Sequence, residues 1–334
     1  MDIFDLLKMV LGLSLFLFGM NTMGDALRNM AGTGLRGVLE RFTARRAQGV
    51  FFGALVTALI QSSSATTVMV VGFVNSGIME LSQAVGVIMG ANVGTAFTSW
   101  ITALSALEGG AAVGSLLQWF KPSSFTPILA LVGIIIYNAG KWSKSRDISL
   151  IFLGFSVLML GMDTMSDSVK GLSENEGFRS ILLALENPVL GVLGGLIITA
   201  IVQSSSASIG ILQSFTSTGA ITFGNAVPII MGQNIGTCIT ALIASVGVNK
   251  NAKRASVIHL LFNLFGSVIG LGVFYVIKKL LRSDILESGI DMWGIAATHT
   301  AFNFLTAIIL FPVSHMLQKC ASLIIKDGTD NKGK

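Results

Sequence analysis

Two tetrads of hydrogen-bonding side chains, Gln61-Ser62-Ser63-Ser64 and Gln203-Ser204-Ser205-Ser206, lie in otherwise apolar stretches. Serine hydroxyls donate and accept hydrogen bonds, and glutamine adds a carbonyl oxygen and an NH2 group. In a hydrocarbon-compatible run such groups are costly unless protein, ions or substrate satisfy them. A serine triplet at a broken-helix tip can turn hydroxyls and backbone N–H groups toward an oxyanion, where half-helix N-termini favour negative charge. Nearby carbonyl and hydroxyl oxygens are hard ligands suited to an alkali cation. Interhelical hydrogen bonding would explain one such tetrad in an isolated membrane helix. Two copies in register favour a site.

The register is an internal duplication with an offset of 142 residues. Aligned without a gap, residues 61–104 and 203–246 share 17 of 44 identities, among them Asn92/Asn234 and Gly94-Thr95/Gly236-Thr237. It extends back through Thr57-Ala58/Thr199-Ala200 to Gly19-Met20/Gly161-Met162 and Asp25/Asp167. Asn92-Val93-Gly94-Thr95 and Asn234-Ile235-Gly236-Thr237 each follow a Met-Gly pair inside an apolar span. There Asn and Gly are expected to unwind a turn and expose carbonyls, which makes these segments candidate ligands beside the tetrads. Pro228 replaces Gly86 in the second copy, so the two approaches are expected to differ. Helix capping or loop solvation accounts for Asp25 and Asp167, with an ion-related role left open. His259/Asn263 and His299/Asn303 share the pattern H-x-x-F-N and read as satisfied packing residues, with proton carriage as the alternative. The Met-rich runs near Met20 and Met159 read as core filler.

Stepping out to the elements that must hold these residues, the composition is that of a membrane protein. Hydrophobic residues make up 52% and charged residues 12% of 334 residues, and mean hydropathy is +0.76; a soluble surface needs about a quarter charged. The net charge of +5 is carried by loop Lys and Arg and reads as membrane orientation, not nucleic-acid binding. Cys238 and Cys320 share no metal-ligand spacing with the three histidines. No HExxH, P-loop, zinc spacing or nucleophile elbow appears, and no enzyme is expected. The first apolar segment lacks a basic n-region and is expected to be retained.

Spans are expected over residues 6–24, 84–104, 126–140, 148–166, 226–246, 256–277 and 292–316. Residues 49–75 and 189–216, which carry the tetrads, read either as straight helices or as re-entrant hairpins of two half-helices. Charge favours the hairpins: the loop 28–46 holds five arginines, whereas its repeat equivalent, 167–188, is mainly acidic. Opposite bias is expected of copies inserted with opposite orientation. The expected fold is therefore an all-α polytopic membrane protein of two inverted-topology repeats, each with a re-entrant helical hairpin carrying QSSS. The repeats are drawn at 1–146 and 147–318, with a short basic cytoplasmic tail at 319–334.

The chain resembles the bacterial sodium-dependent inorganic phosphate cotransporters, related to the animal type II sodium–phosphate cotransporters. The resemblance runs from about Leu13 to Pro312 and rests on QSSSATT at 61–67, QSSSASI at 203–209, MGANVGT at 89–95, MGQNIGT at 231–237 and HLLFN at 259–263. It implies a secondary active symporter in the inner (plasma) membrane that couples sodium entry to phosphate uptake by alternating access. By the same resemblance, Gln61, Ser62, Ser63, Ser64, Gln203, Ser204, Ser205 and Ser206 map onto the phosphate site. Gln61, Thr66, Asn92, Thr95, Gln203, Ser208, Asn234 and Thr237 are the sodium candidates. Sodium-first binding fits the absence of Arg and Lys from either central motif, and no cofactor beyond Na+ as coupling ion is expected. The expected partners are phosphate, sodium and membrane lipid, with a homodimer allowed for and no nucleic acid. The short form, without a PhoU-like domain, is expected, with its regulatory partner unknown. The alternatives are another small anion or solute on the same scaffold, or a non-transporting membrane sensor.

Overall fold

The computed structural model describes residues 3–32, 46–109, 122–170, 175–281 and 287–326. Among these the chain is helical, apart from one isolated bridge between Thr222 and Gly289. The elements are α1 (Ile3–Ala31), α2 (Arg46–Ile60), α3 (Ser63–Asn75), α4 (Leu81–Ala103), α5 (Pro122–Ala139), α6 (Ser145–Val169), α7 (Glu176–Leu185), α8 (Pro188–Val202), α9 (Ser205–Phe215), α10 (Phe223–Ala244), α11 (Lys250–Leu281), α12 (Met292–Leu310) and α13 (Ser314–Ile324). By length and composition, six described helices can cross a membrane: α1, α4, α6, α10, α11 and α12. The count reaches seven if α7 and α8, bent by 107° at their break, form one span. This is an all-α, multi-pass membrane protein.

Glycine sets how the helices meet. Without Cβ atoms, backbones can approach to distances that larger residues prohibit. A Cβ added at Gly12 would lie 2.7 Å from Met165 N, and one at Gly154 would lie 2.7 Å from Met23 N. A Cβ at Gly19 would fall on Leu158 N, and one at Gly161 on Phe16 N. Each contact becomes the other when 142 is added or subtracted. Residue numbers rise along α1 as they fall along α6, so this pair is antiparallel and exchanges its two members. The same correspondence links α2 with α4 and α8 with α10: Gly90 lies against Val50 O, and Gly232 against Val192 O. Gly191 lies against the Pro228 ring, while α10 runs through that proline unbroken, so the Gly86-to-Pro228 difference is absorbed locally.

The buried methionines Met159, Met162 and Met165 form one core cluster with Phe16, Met20, Met23 and Leu158, the packing role expected of the Met-rich runs.

Three boundaries differ from the sequence reading. Residues 167–188 are not simply a loop: α6 continues to Val169, and α7 occupies Glu176–Leu185, capped by Asn175 Oδ1 on Phe178 N at 3.0 Å. The last span ends at Leu310, because Pro312 cannot donate the next backbone hydrogen bond. The chain resumes as α13, so the expected tail from 319 begins within a helix. That helix is tied down where the buried Arg254 donates from Nε and Nη2 to Ile325 O at 3.1 and 2.9 Å. The basic loop residues Arg36, Arg41 and Arg45, and Glu174 in the acidic loop, lie outside the described residues.

Candidate functional site: a polar cavity between two broken helices

Both tetrads interrupt helices. Helix α2 ends at Ile60, Gln61 takes φ 55°, and α3 starts at Ser63; α8 ends at Val202, Gln203 takes φ 56°, and α9 starts at Ser205. These two glutamines are the non-glycine residues in the left-handed region among the described residues, a conformation costing about 1–2 kcal/mol for an L-residue. The straight-helix alternative is thereby removed. Ser62 and Ser204 are the N-caps, their Oγ atoms accepting from Ala65 N at 3.1 Å and Ala207 N at 3.2 Å. The helices flanking each break are bonded to each other: Thr57 Oγ1 donates to Thr66 Oγ1 at 2.9 Å, and Thr199 Oγ1 to Ser208 Oγ at 2.8 Å.

The two breaks, 142 residues apart in sequence, face one cavity of about 350 Å³. All eight tetrad residues line it, together with a strip of α1 from Leu17 to Arg28. The hydroxyls of Ser63, Ser64, Ser205 and Ser206 make no hydrogen bond among the described residues, although Ser63, Ser205 and Ser206 are buried. The N-termini of α3 and α9 both open here, and each carries about half a positive charge. The cavity thus offers hydroxyl and N–H donors and, from two helix ends, on the order of one positive charge.

The glutamines are not equivalent. Gln61 is buried; its Oε1 accepts from Thr98 Oγ1 at 3.0 Å and its Nε2 donates to Ala58 O. Gln203 is exposed to the cavity. Nor is the cavity symmetric about the repeats. It is walled by α1, whereas Met159, Met162 and Ser166 of α6, the equivalents of Leu17, Met20 and Gly24, are buried where α9 packs along α6, and Asp167 and Lys170 are exposed outside the cavity. On that side Ser217 Oγ donates to Ser166 O at 2.9 Å. Gln213 ties α9 to α4 and α12, donating to Ser99 O at 3.0 Å and Met292 O at 3.1 Å and accepting from Thr102 Oγ1 at 2.5 Å.

Six other sequence candidates do not line this cavity. Helices α4 and α10 run unbroken through Asn92, Thr95, Asn234 and Thr237, contrary to the expected unwinding. Asn92 and Asn234 donate to Ile88 O and Ile230 O, both at 2.9 Å, while Thr95 and Thr237 donate to Ala91 O at 2.9 Å and Gln233 O at 3.0 Å. The neighbouring glycines serve the approach of α2 and α8 instead of breaking the helices. Thr66 and Ser208 bond across the breaks to Thr57 and Thr199 and do not line the cavity. The histidines also differ from the reading as satisfied residues. Both nitrogens of His259 and Nε2 of His299, with Oδ1 of Asn263 and Asn303, are buried without a hydrogen-bond partner among the described residues.

The sequence reading did not find Arg28, Asn21 or Thr98. Arg28 follows Leu17, Asn21 and Gly24 at helical spacing, so the face was written in the sequence; its charge assigned it instead to a loop.

Broken helices meeting around a polar cavity inside an apolar bundle define a membrane transporter of small solutes. The model of the family Na+/Pi-cotransporter matches twice, over residues 15–167 and 158–282, and the chain belongs to that family. It is 28% identical over 311 residues to YqeW of Bacillus subtilis (strain 168), covering 93% of this chain and 95% of that protein. It is 25% identical over 324 residues to the putative inorganic phosphate export protein YjbB of Escherichia coli (strain K12), covering 96% of this chain but 56% of that one. Similarity to sodium-dependent phosphate transport protein 2A of Oryctolagus cuniculus is 32% over 202 residues, or 57% of this chain and 29% of the relative. The chain thus spans about half the length of YjbB. No solved structure matches it.

Proposed function

We propose that the protein is a secondary active transporter that binds inorganic phosphate between the two tetrads and couples its passage to Na+. The observation that carries this reading is one cavity receiving four unpartnered serine hydroxyls and two helix N-termini, with half supplied by each repeat. Such a site suits a tetrahedral oxyanion, whose several acceptor oxygens can engage donors from both sides at once. Ser63, Ser64, Ser205 and Ser206 are the proposed contacts. Ser62 and Ser204 hold the helix starts, while Gln61 and Gln203 bridge the anion and a cation. Thr66, Asn92, Thr95, Ser208, Asn234 and Thr237, just beyond the cavity, remain the proposed sodium ligands; each hydroxyl or amide oxygen keeps lone pairs that its present bonds do not consume.

We further infer two inverted repeats, 1–146 and 147–318, alternating access to this centre in the cell's inner (plasma) membrane. Support comes from the antiparallel, mutually exchanging α1–α6 contact: a two-fold axis across two membrane-spanning helices lies in the membrane plane. The one-sided cavity supports alternation, because Leu17, Met20 and Gly24 of α1 line it while their α6 equivalents, Met159, Met162 and Ser166, are packed away from it in the same conformation.

The test is radiolabelled phosphate flux in proteoliposomes with Na+, K+ and H+ gradients imposed separately. Flux driven by a Na+ gradient and lost in S63A and S205A is expected. Equal flux with K+ on both sides would remove the sodium assignment, and no flux under any gradient would leave the sensor reading. A second reading, export, is favoured by the name of the E. coli relative. Efflux from phosphate-loaded vesicles against influx, at matched gradients, separates the two directions.

A further inference from the structure

We infer that Arg28 is the residue that receives the anion in this conformation, and that Asp25 is the partner it leaves to do so. This rests on the phosphate reading of the tetrads. Arg28 is the fixed cation among the residues lining the cavity, which otherwise supplies neutral donors and helix ends. Among the described residues its side chain is held by one contact, Arg28 Nη1 to Asp25 Oδ1 at 3.3 Å, between side chains 45% and 67% exposed. An exposed i,i+3 pair with one long contact is weak. A phosphate oxygen pair matches the planar guanidinium fork with two parallel hydrogen bonds, which a lone carboxylate oxygen at this distance does not. Exchanging Asp25 for phosphate therefore strengthens the guanidinium's contacts and leaves Asp25 facing solvent.

Among the described residues, the neighbouring charges have other partners. At the same end of α1, Asp147 accepts from Asn29 Nδ2 at 3.5 Å, Lys144 donates to Met30 O at 3.3 Å, and Arg146 stacks over Tyr137. The repeat equivalent of the pair is Asp167–Lys170, also i,i+3, at 2.6 Å, and it does not line the cavity. One pair faces the anion site while its copy does not, which supplies an internal control.

The experiment is equilibrium binding of radiolabelled inorganic phosphate to the purified full chain at saturating Na+, with each variant checked by thermal unfolding. R28Q is expected to weaken binding about tenfold or more, the loss of a charge-assisted pair. R28K should be intermediate, because an ammonium keeps the charge and loses the fork. D25N should tighten binding two- to fivefold by releasing the guanidinium, and D25N/R28Q should match R28Q. K170Q should bind as the wild type does. Unchanged binding in R28Q, with S63A and S205A weakened, would overturn the role of Arg28 and leave the tetrad site standing. Unchanged binding in all three would instead remove the phosphate site itself. Weakened phosphate and Na+ binding in D25N would make Asp25 a cation ligand and overturn the exchange, as would equal losses in K170Q and R28Q.

Discussion

The two left-handed glutamines permit a test that separates strain from function. Gln61 and Gln203 have nearly the same backbone, φ 55° and 56°, but different side-chain surroundings. Replacing either with glycine removes a left-handed penalty of about 1–2 kcal/mol. It adds back about 0.5–1 kcal/mol through the greater freedom of glycine in the unfolded chain. For Q203G, whose side chain is exposed, the net effect is neutral to about 1 kcal/mol stabilising. Q61G has the same backbone gain but deprives the buried Thr98 hydroxyl of its acceptor at 3.0 Å. A buried hydroxyl left unpaired costs about 1–3 kcal/mol. Q61G should therefore be less stable than Q203G by roughly that amount. Q203A, which keeps the strain, should lie below Q203G. Thermal unfolding of the three variants in one detergent, followed by tryptophan fluorescence, ranks them. Phosphate and Na+ binding on the same samples should fall in both glycine variants, so Q203G loses function without losing stability. Equal thermal shifts in Q61G and Q203G would refute the reasoning, since Gln61 is buried and bonded to Thr98 and Ala58 while Gln203 is exposed.

Further outcomes follow from the packing. G19A and G161A each drive a Cβ onto the facing backbone, Leu158 N and Phe16 N, and should each cost about 1–3 kcal/mol. Similar losses in thermal unfolding are expected because the two clashes are repeat equivalents, and a loss in only one would contradict the exchange of α1 and α6. Q213L removes the amide donors to Ser99 O and Met292 O and one acceptor of the Thr102 hydroxyl, which keeps Ser99 O at 3.0 Å, and should destabilise by about 1–2 kcal/mol. Accessibility of a cysteine at Ser217 should rise in that variant if Gln213 holds the α9 side closed. Single cysteines at Asn29 and Glu176, in a background without Cys238 and Cys320, should react with impermeant reagent from opposite membrane faces. Labelling from one face would favour parallel repeats.

By itself the sequence determined the class of fold and the pieces of the site. An offset of 142 residues identified the duplication, the apolar composition identified the membrane, and paired QSSS tetrads in apolar runs marked where polar groups require a partner. These readings depend on local chemistry: a serine's hydroxyl and the hydrophobicity of its neighbours are present in the chain before it folds. Tertiary structure decided which candidates share a space. The sequence treated Asn92, Thr95, Asn234 and Thr237 like the tetrads, because Asn and Gly in an apolar span can either unwind a helix or let another helix approach. The close passage of α2 and α8 over Gly90, Gly94, Gly232 and Gly236 selected the second use, and the helices stayed whole. Arg28 could not be assigned from its charge alone. It lines the cavity because α1 faces both helix breaks, whereas its equivalent Lys170 is exposed away from them, and that difference between equivalent residues arises only from packing. A duplicated sequence encodes two like halves; the unequal positions those halves take around one site belong to the folded molecule.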